Sequence, residues 1–308
     1  MGKTISLSVI VEASPLNYGE GFGNVSEMKK ISRVDGNTYP FASRQSIRYD
    51  IVRLGNEWFG WNLDTVSKTK GTVQFKDDVT IADSVEMDLF GYLKTSKKTG
   101  EKTGEKSRKR AAVARLSHAI ALEPYTGNFE FLTNMGLAER IDDTANLANI
   151  ENHLSYYTYT ITIDLSHIGI DQNDSLELSN DEKYERVVQL LDIIKLLSRN
   201  IRGRQENLTP KFIIGGLYPV ANPFFLGNIK MNVKALELAP LKDTMALTFA
   251  GQSIGECTQI GLTQGTFSNE ADVVEQFAGQ VHTVEQFFQQ LSKEVAHYYG
   301  VAHATTQD

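Results

Sequence analysis

The chain has 308 residues, of which 41% are hydrophobic and 22% charged, with a net charge of −7. These proportions are ordinary for a soluble globular protein. No run approaches the ~20 apolar residues of a membrane span, so no membrane role is expected. Cys257 is the only cysteine. That excludes an intramolecular disulfide and a thiol-based metal cluster, and it suits a cytoplasmic setting. The length predicts one elaborated domain over residues 1–308, carrying long insertions.

Thr4 to Val11 alternates, with Ile5, Leu7, Val9 and Val11 on one face and Thr4, Ser6 and Ser8 on the other. This predicts a half-buried strand, and a chain that opens on a strand is not expected to carry a signal peptide. The Gly-rich stretch Asn17–Asn24 lacks the Gly-Lys-Ser/Thr of a Walker loop, and residues 13–42 read as an insertion. Val34-Asp35-Gly36-Asn37 is a turn sequence. Pro40 keeps a helix from starting early. Ser43 is then an N-cap, with Ile47, Ile51 and Leu54 at helical spacing behind it. Arg44 and Arg48 share one face of that helix. Together with Gln45 and the free N–H groups of the first turn they form a start that attracts phosphate. A surface helix with solvated arginines is the other reading.

Residues 57–84 are aromatic-rich and irregular, a second insertion. Glu86 to Lys94 reads as a strand with a bulge or close backbone approach at Gly91. A basic run follows, and residues 95–111 read as a loop. Ala112 to Leu122 places Ala114, Leu116, His118, Ile120 and Leu122 in one register, the returning arm of a hairpin tipped by that loop. Residues 123–154 are polar and read as an irregular insertion. Tyr156 to Leu165 is β-branched, aromatic and strictly alternating, a strand. Ser179 and Glu182 form a capping box for a helix running past Leu197. Residues 203–227 contain a Gly/Pro/aromatic segment, and Ile229 to Leu238 alternates as a strand. Thr283 and Gln286 cap a last helix, which Gly300 ends. Without the insertions the order is βαββαβ. The expected fold is α+β, with a ferredoxin-like, RRM-like core carrying long finger and thumb insertions.

No specific catalytic constellation is present: no nucleophile elbow, no HExxH, no kinase or P-loop set. His118 sits in an apolar register and reads as a core or interface histidine. Asp35 is the one loop carboxylate that could act on a bound phosphodiester, and Asp-Gly is also what a turn needs. No metal or other cofactor is expected. The case for nucleic acid has more parts. Lys94 to Arg110 holds eight basic and two acidic residues, a net +6, which leaves −13 on the remainder. Such a split suggests a local polyanion contact on an acidic body; a solvated loop is the alternative. Lys97, Lys98, Lys102, Lys106, Arg108, Lys109 and Arg110 belong to this run. Arg202 and Arg204 follow the second helix. Phe224 and Phe225 are either core residues or aromatics able to wedge between bases.

The block Arg33–Ile51, RVDGNTYPFASRQSIRYDI, resembles the signature of the DevR-type Cas-seven family, as do Ser117-His118-Ala-Ile-Ala-Leu-Glu-Pro-Tyr and the Gly215-Gly216 segment. Members are backbone subunits of type I CRISPR Cascade complexes, and the likeness is greatest to subtype I-B. The resemblance implies an RRM-like palm, finger insertions and a protruding thumb. It implies copies of the chain stacked along one guide RNA, with target DNA pairing to exposed segments and Cas-five, Cas-six and large subunits as further partners. Ser43, Arg44, Gln45 and Arg48 match the helix start that grips guide phosphate. Gly215 to Gly227, with Gly215 and Gly216, matches the thumb, and Phe224 or Phe225 is the wedge between bases. Lys97–Arg110 falls in a finger. Related type III subunits cleave RNA with a loop aspartate, a role that would fall to Asp35. A stand-alone regulatory nucleic-acid binder is the remaining alternative.

Overall fold

The computed structural model describes residues 3–14, 16–19, 21, 23–69, 72–94 and 107–302. The fold is mixed α+β around a main sheet of nine strands among the described residues. In chain order these are β1 (Thr4–Ala13), β2 (Lys30–Ser32), β3 (Thr38–Ala42), β4 (Ala114–Leu116), β5 (Ala119–Ala121), β6 (Ser155–Asp164), β7 (Phe212–Tyr218), β8 (Gln259–Leu262) and β9 (Val281–Thr283). Their spatial order is β9-β8-β7-β1-β6-β5-β3-β2, and β4 also pairs with β6. Every pairing is antiparallel except β8 with β9. The principal helices are α1 (Arg44–Phe59), the short α2 (Val85–Phe90), α3 (Asn180–Lys195) and α4 (Val284–Tyr299).

β1 pairs with β6 from Thr4 to Ala13 on one edge and with β7 from Thr4 to Ile10 on the other. Its odd-numbered residues Ile5, Leu7, Val9 and Val11 join one core with Ile47, Ile51 and Leu54 of α1, Val187 and Leu191 of α3, and Phe287 and Leu291 of α4. The opposite face carries a second core, in which Ile10, Tyr156, Phe212 and Ile214 meet Phe225, Leu241 and Ile260. β1 is therefore buried on both faces, not half-buried as its alternation predicts. Thr4, Ser6 and Ser8 are buried, and Ser8 and Thr160 share a hydroxyl–hydroxyl bond of 2.6 Å. The alternation records two different cores rather than core and solvent.

The capping predictions agree with the structure. Ser179 and Glu182 form a complete capping box, as do Thr283 and Gln286, and Gly300 closes α4 in the left-handed conformation. Other segments differ. Glu86–Phe90 is helical: Ser84 caps α2 by accepting from Met87 N–H at 3.2 Å, and Glu86 and Asp88 complement the dipole of its first turn. Only Tyr92–Lys94 is extended, and it pairs with Arg108–Arg110 at the base of the basic loop. Gly91 turns at φ +72°, where a Cβ would strike the carbonyl of Arg110. The strand that follows α3 into the sheet is β7, inside the segment read as a thumb. Residues 229–238 instead make a small hairpin, Met231–Asn232 with Ala235–Leu236. Residues 123–154 are not irregular either, since Asn128–Thr133 and Leu147–Asn152 form an antiparallel hairpin.

Asp88 is fully buried between two arginines, Arg110 Nη2 at 2.7 Å and Arg186 Nη1 at 2.9 Å, and accepts from Gly169 N–H as well. It ties α2, the base of the basic loop and α3 together. Replacing it with alanine leaves two buried guanidinium groups without their anion, a change that costs about 3–5 kcal/mol. Asp88→Ala should lower the urea midpoint accordingly; a shift within error of wild type would remove Asp88 from that role.

A candidate nucleic-acid interface at the start of the first helix

Ser43 caps α1 with its hydroxyl, accepting from Ser46 N–H at 3.2 Å. Asn17, at the start of the Gly-rich stretch, donates to the Ser43 and Ser46 hydroxyls at 3.1 and 3.4 Å and is thereby pinned onto the helix start. From the other side Arg199 donates to Asp50 at 2.5 Å and to the Ser46 carbonyl at 3.1 Å. The first turn contains no acidic residue, so its positive dipole end is not offset locally. Arg44 and Gln45 are exposed, and their side chains bond to nothing among the described residues. Arg48 is partly engaged, donating to Glu86 at 2.6 Å and lying 5.0 Å from the Phe90 ring centre. Arg44, Gln45, Arg48, Arg115 and Leu116 line an open cleft of about 600 Å³. Three guanidinium groups along one cleft against a single paired glutamate favour an anionic ligand.

Arg115 is absent from the sequence-based candidates, although alternation with buried Ala114 marks it as outward-facing. It is exposed and bonds to nothing among the described residues. His118 lies on the opposite side from the one its register predicts, for a related reason. Leu116 pairs with Ile161 and Ile120 with Thr158, so four steps along one strand face three along β6. This one-residue bulge reverses the alternation. Ala119 and Ala121 take over the inner face, while Ile120 and Leu122 turn to the other. His118, at the bulge, is exposed rather than core, and its Nδ1 accepts from the Arg44 N–H at 3.1 Å.

The remaining sequence candidates are scattered. Lys97, Lys98, Lys102 and Lys106 lie outside the described residues. Lys109 is exposed, and Arg108 pairs with Asp174 at 2.6 Å. Arg110 is a correction: it is nearly buried and donates to Asp88 and to the carbonyls of Ile170 and His167, so it holds the loop base and is not free for phosphate. Arg202 and Arg204 flank the tip of the hairpin Ser198–Ile201/Arg204–Asn207. Arg202 lies 4.5 Å from the Tyr18 ring centre, and Arg204 sits 3.6 Å from Glu206.

The thumb placement is also corrected. Gly215 and Gly216 lie within β7, where a Cβ would fall on the carbonyls of Ser6 and Cys257. They are glycines because backbone passes close on both sides. Phe225 is 1% exposed in the second core, and Phe224 packs on Tyr218 with ring centres 4.7 Å apart, so neither protrudes. The exposed apolar surface is instead on the 128–152 hairpin. Phe129 and Phe131 are 60% and 61% exposed, with Met135, Leu137 and Ile141 uncovered at its end. Glu151 roots that hairpin, accepting from Met28 N–H at 2.7 Å, Lys30 Nζ at 2.7 Å and the Tyr125 hydroxyl at 2.9 Å. Burial alone would raise its carboxyl, but Lys30, the Met28 N–H and Tyr125 outweigh it and hold it below the usual glutamate range.

The fold resembles a chain of a solved structure titled "CRISPR RNA-guided surveillance complex, pre-nicking", at TM-score 0.54 and 10% identity, over 96% of this chain and 99% of that one. A second, "CRISPR RNA-guided surveillance complex", aligns at TM-score 0.49 and 11% identity, over 93% and 99%. Residues 5–233 match the family model described as "CRISPR-associated negative auto-regulator DevR/Csa2", and the chain belongs to that family. No curated protein matches it.

The Glu151 root gives a pH dependence of definite sign. A carboxyl whose folded pKa is depressed stabilises the fold above the unfolded value, about 4.3, and that contribution is lost as pH falls through the folded value. Glu151→Gln should therefore lower stability by about 1.5–3 kcal/mol at neutral pH, with the gap to wild type closing as the buffer is taken well below pH 4.3. Thermal denaturation at both pH values measures this; a gap independent of pH would show that Glu151 does not act as an anion.

Proposed function

We propose that this chain is a non-catalytic subunit that binds single-stranded guide RNA in a type I CRISPR Cascade complex. Copies of it line the guide beside other Cascade subunits and present it to target DNA. The observation that carries this reading is the cleft at the start of α1. Its Arg44, Gln45 and Arg115 side chains have no partner among the described residues and are set on a scaffold tied down by Asn17, Asp50 and Arg199. Guanidinium groups and helix N–H groups read phosphate and ignore sequence, which suits a protein whose guides differ and whose specificity comes from base pairing. The four central strands, in the order β7-β1-β6-β5 with α1 and α3 on one face, support an RRM-like core. Family membership and the surveillance-complex likeness support the assembly.

The 128–152 hairpin is the better candidate for the thumb. Its exposed Phe129 and Phe131 are suited to wedge between bases, whereas Phe225 is enclosed. The reading without catalysis is favoured by the state of Asp35. Its carboxylate accepts from the Tyr39 hydroxyl at 2.5 Å and Asn37 N–H at 2.9 Å, the bonding of a turn residue. The Tyr39 bond foremost holds it below the usual aspartate range.

The double variant Arg44→Ala/Arg115→Ala should weaken binding of unrelated single-stranded RNAs alike. It should also flatten the log–log salt dependence by about 0.7 for each phosphate no longer neutralised. Fluorescence anisotropy across a salt series measures both, and an unchanged slope would remove the cleft from the interface. Asp35→Ala should leave RNA bound and intact to the same degree as wild type; cleavage present in wild type and lost in the variant would instead make the chain a nuclease.

A further inference from the structure

The carboxylates of this chain are unevenly spread. Residues 243–292 contain six of them and no lysine or arginine, a net charge of −6. This segment contributes to the second core, supplies β8 and β9 and leads into α4. Between its short helix Glu270–Gln276 and β9, the last strand of the main sheet, lies an open groove of about 740 Å³. The lining is apolar at Leu262, Ala271, Val274 and Val281 and anionic at Glu270 and Glu275. The other titratable lining group, His282, is engaged through Nε2 with Gln259 at 2.7 Å.

The two carboxylates differ in state. Glu270 accepts from the N–H groups of Gly265, Thr266 and Phe267 at 3.0, 2.6 and 3.0 Å. Burial alone would raise its carboxyl, but these N–H groups outweigh it and hold it below the usual glutamate range, so it is a fixed anion. Glu275 is exposed and has no partner among the described residues. Val274 beside it is 51% exposed. A polyanion is repelled by such a lining. A cationic segment carrying an aliphatic side chain fits it: the cation reaches Glu275, and the aliphatic group covers Val274 and Val281. The chain's own basic stretch, residues 94–110, contains no apolar side chain and does not fit. Strand addition is hindered too, because the Thr283 N–H of β9 is taken by Gln286 at 3.1 Å.

We infer that this groove docks a lysine- or arginine-rich segment of a different protein, anchored by one aliphatic side chain. Docking here does not depend on what the helix start binds. The Arg44–Arg115 cleft lies at β4, five strand spacings from β9 in the sheet order, which is about 24 Å. That exceeds the Debye length of about 8 Å at physiological salt, so the two sites act independently.

Fluorescence anisotropy on the full chain tests this with three labelled peptides. They are Gly-Lys-Arg-Leu-Lys-Val-Arg-Lys-Gly, the same peptide with serine replacing leucine and valine, and a peptide of residues 97–110 of this chain. The first should bind, and the other two about tenfold more weakly for want of one buried aliphatic group. Glu275→Lys should weaken the first peptide about tenfold and flatten its salt dependence. Val274→Ser should weaken it about threefold and leave the salt dependence unchanged. Both positions are exposed, so neither change reaches the core. Equal binding of the leucine and serine peptides, affinity unaltered in both variants, or no binding of any peptide overturns the groove. The 97–110 peptide binding as tightly as the first would assign the groove to a second copy of this chain and overturn the occupant stated here. Affinity for a single-stranded RNA should stay at the wild-type value in both variants; a change would place the groove in the RNA interface and overturn the inference likewise.

Discussion

β1 is hydrogen-bonded along both edges and covered on both faces, and this double enclosure dictates the rest of the architecture. One face requires α1, α3 and α4. The other requires the segment from Phe225 to Phe277, without which Ile10, Phe212 and Ile214 would face water. Where β7 lies between β1 and the Cys257 turn, only glycine fits at 215 and 216. A strand enclosed in this way cannot yield locally, so elements anchored to it hold their geometry when a ligand arrives. α1 is one of these, through Ile47, Ile51 and Leu54.

The electrostatics follow a division of labour. Most charged groups near the helix start are committed to structure: Asp50 to Arg199, Arg48 to Glu86, Asp88 to Arg110 and Arg186. Those commitments fix backbone positions and leave little field outside. Among the described residues Arg44 and Arg115 are the uncommitted remainder, on an otherwise acidic chain. The buried pairs among them, at Asp50 and Asp88, hold the backbone that lines the cleft.

Much of the fold is legible in the residues. Helix caps rest on local hydrogen bonds, so Ser43, Ser179 and Thr283 announce their helices from three or four neighbouring positions. The misreadings of burial share one cause, which is that burial is set by distant segments. Thr4, Ser6 and Ser8 look solvent-facing until residues from the far end of the chain cover them. Gly215 and Gly216 look like part of a thumb until β1 is found pressed against them. Phe225 looks like a wedge until the second core encloses it. Of the site, Ser43, Arg44, Gln45 and Arg48 are visible as a capped helix start. Arg115 is outward-facing by its own alternation with Ala114, whereas the orientation of His118 depends on how β4 and β5 register against β6, which no local pattern encodes.

That register has a consequence for how the chain can change over time. One extra residue at Ser117–His118 acts as a phase shifter: upstream of it one set of side chains faces the helices, downstream the complementary set does. Removing that residue would not erode the surface gradually. It would exchange Ile120 and Leu122 for alanines on one side and press bulky groups into the helix-facing core on the other. The cleft and the core behind it are thus locked to a single backbone irregularity. Point substitution can tune either of them independently, but an insertion or deletion at this place would alter both in one step.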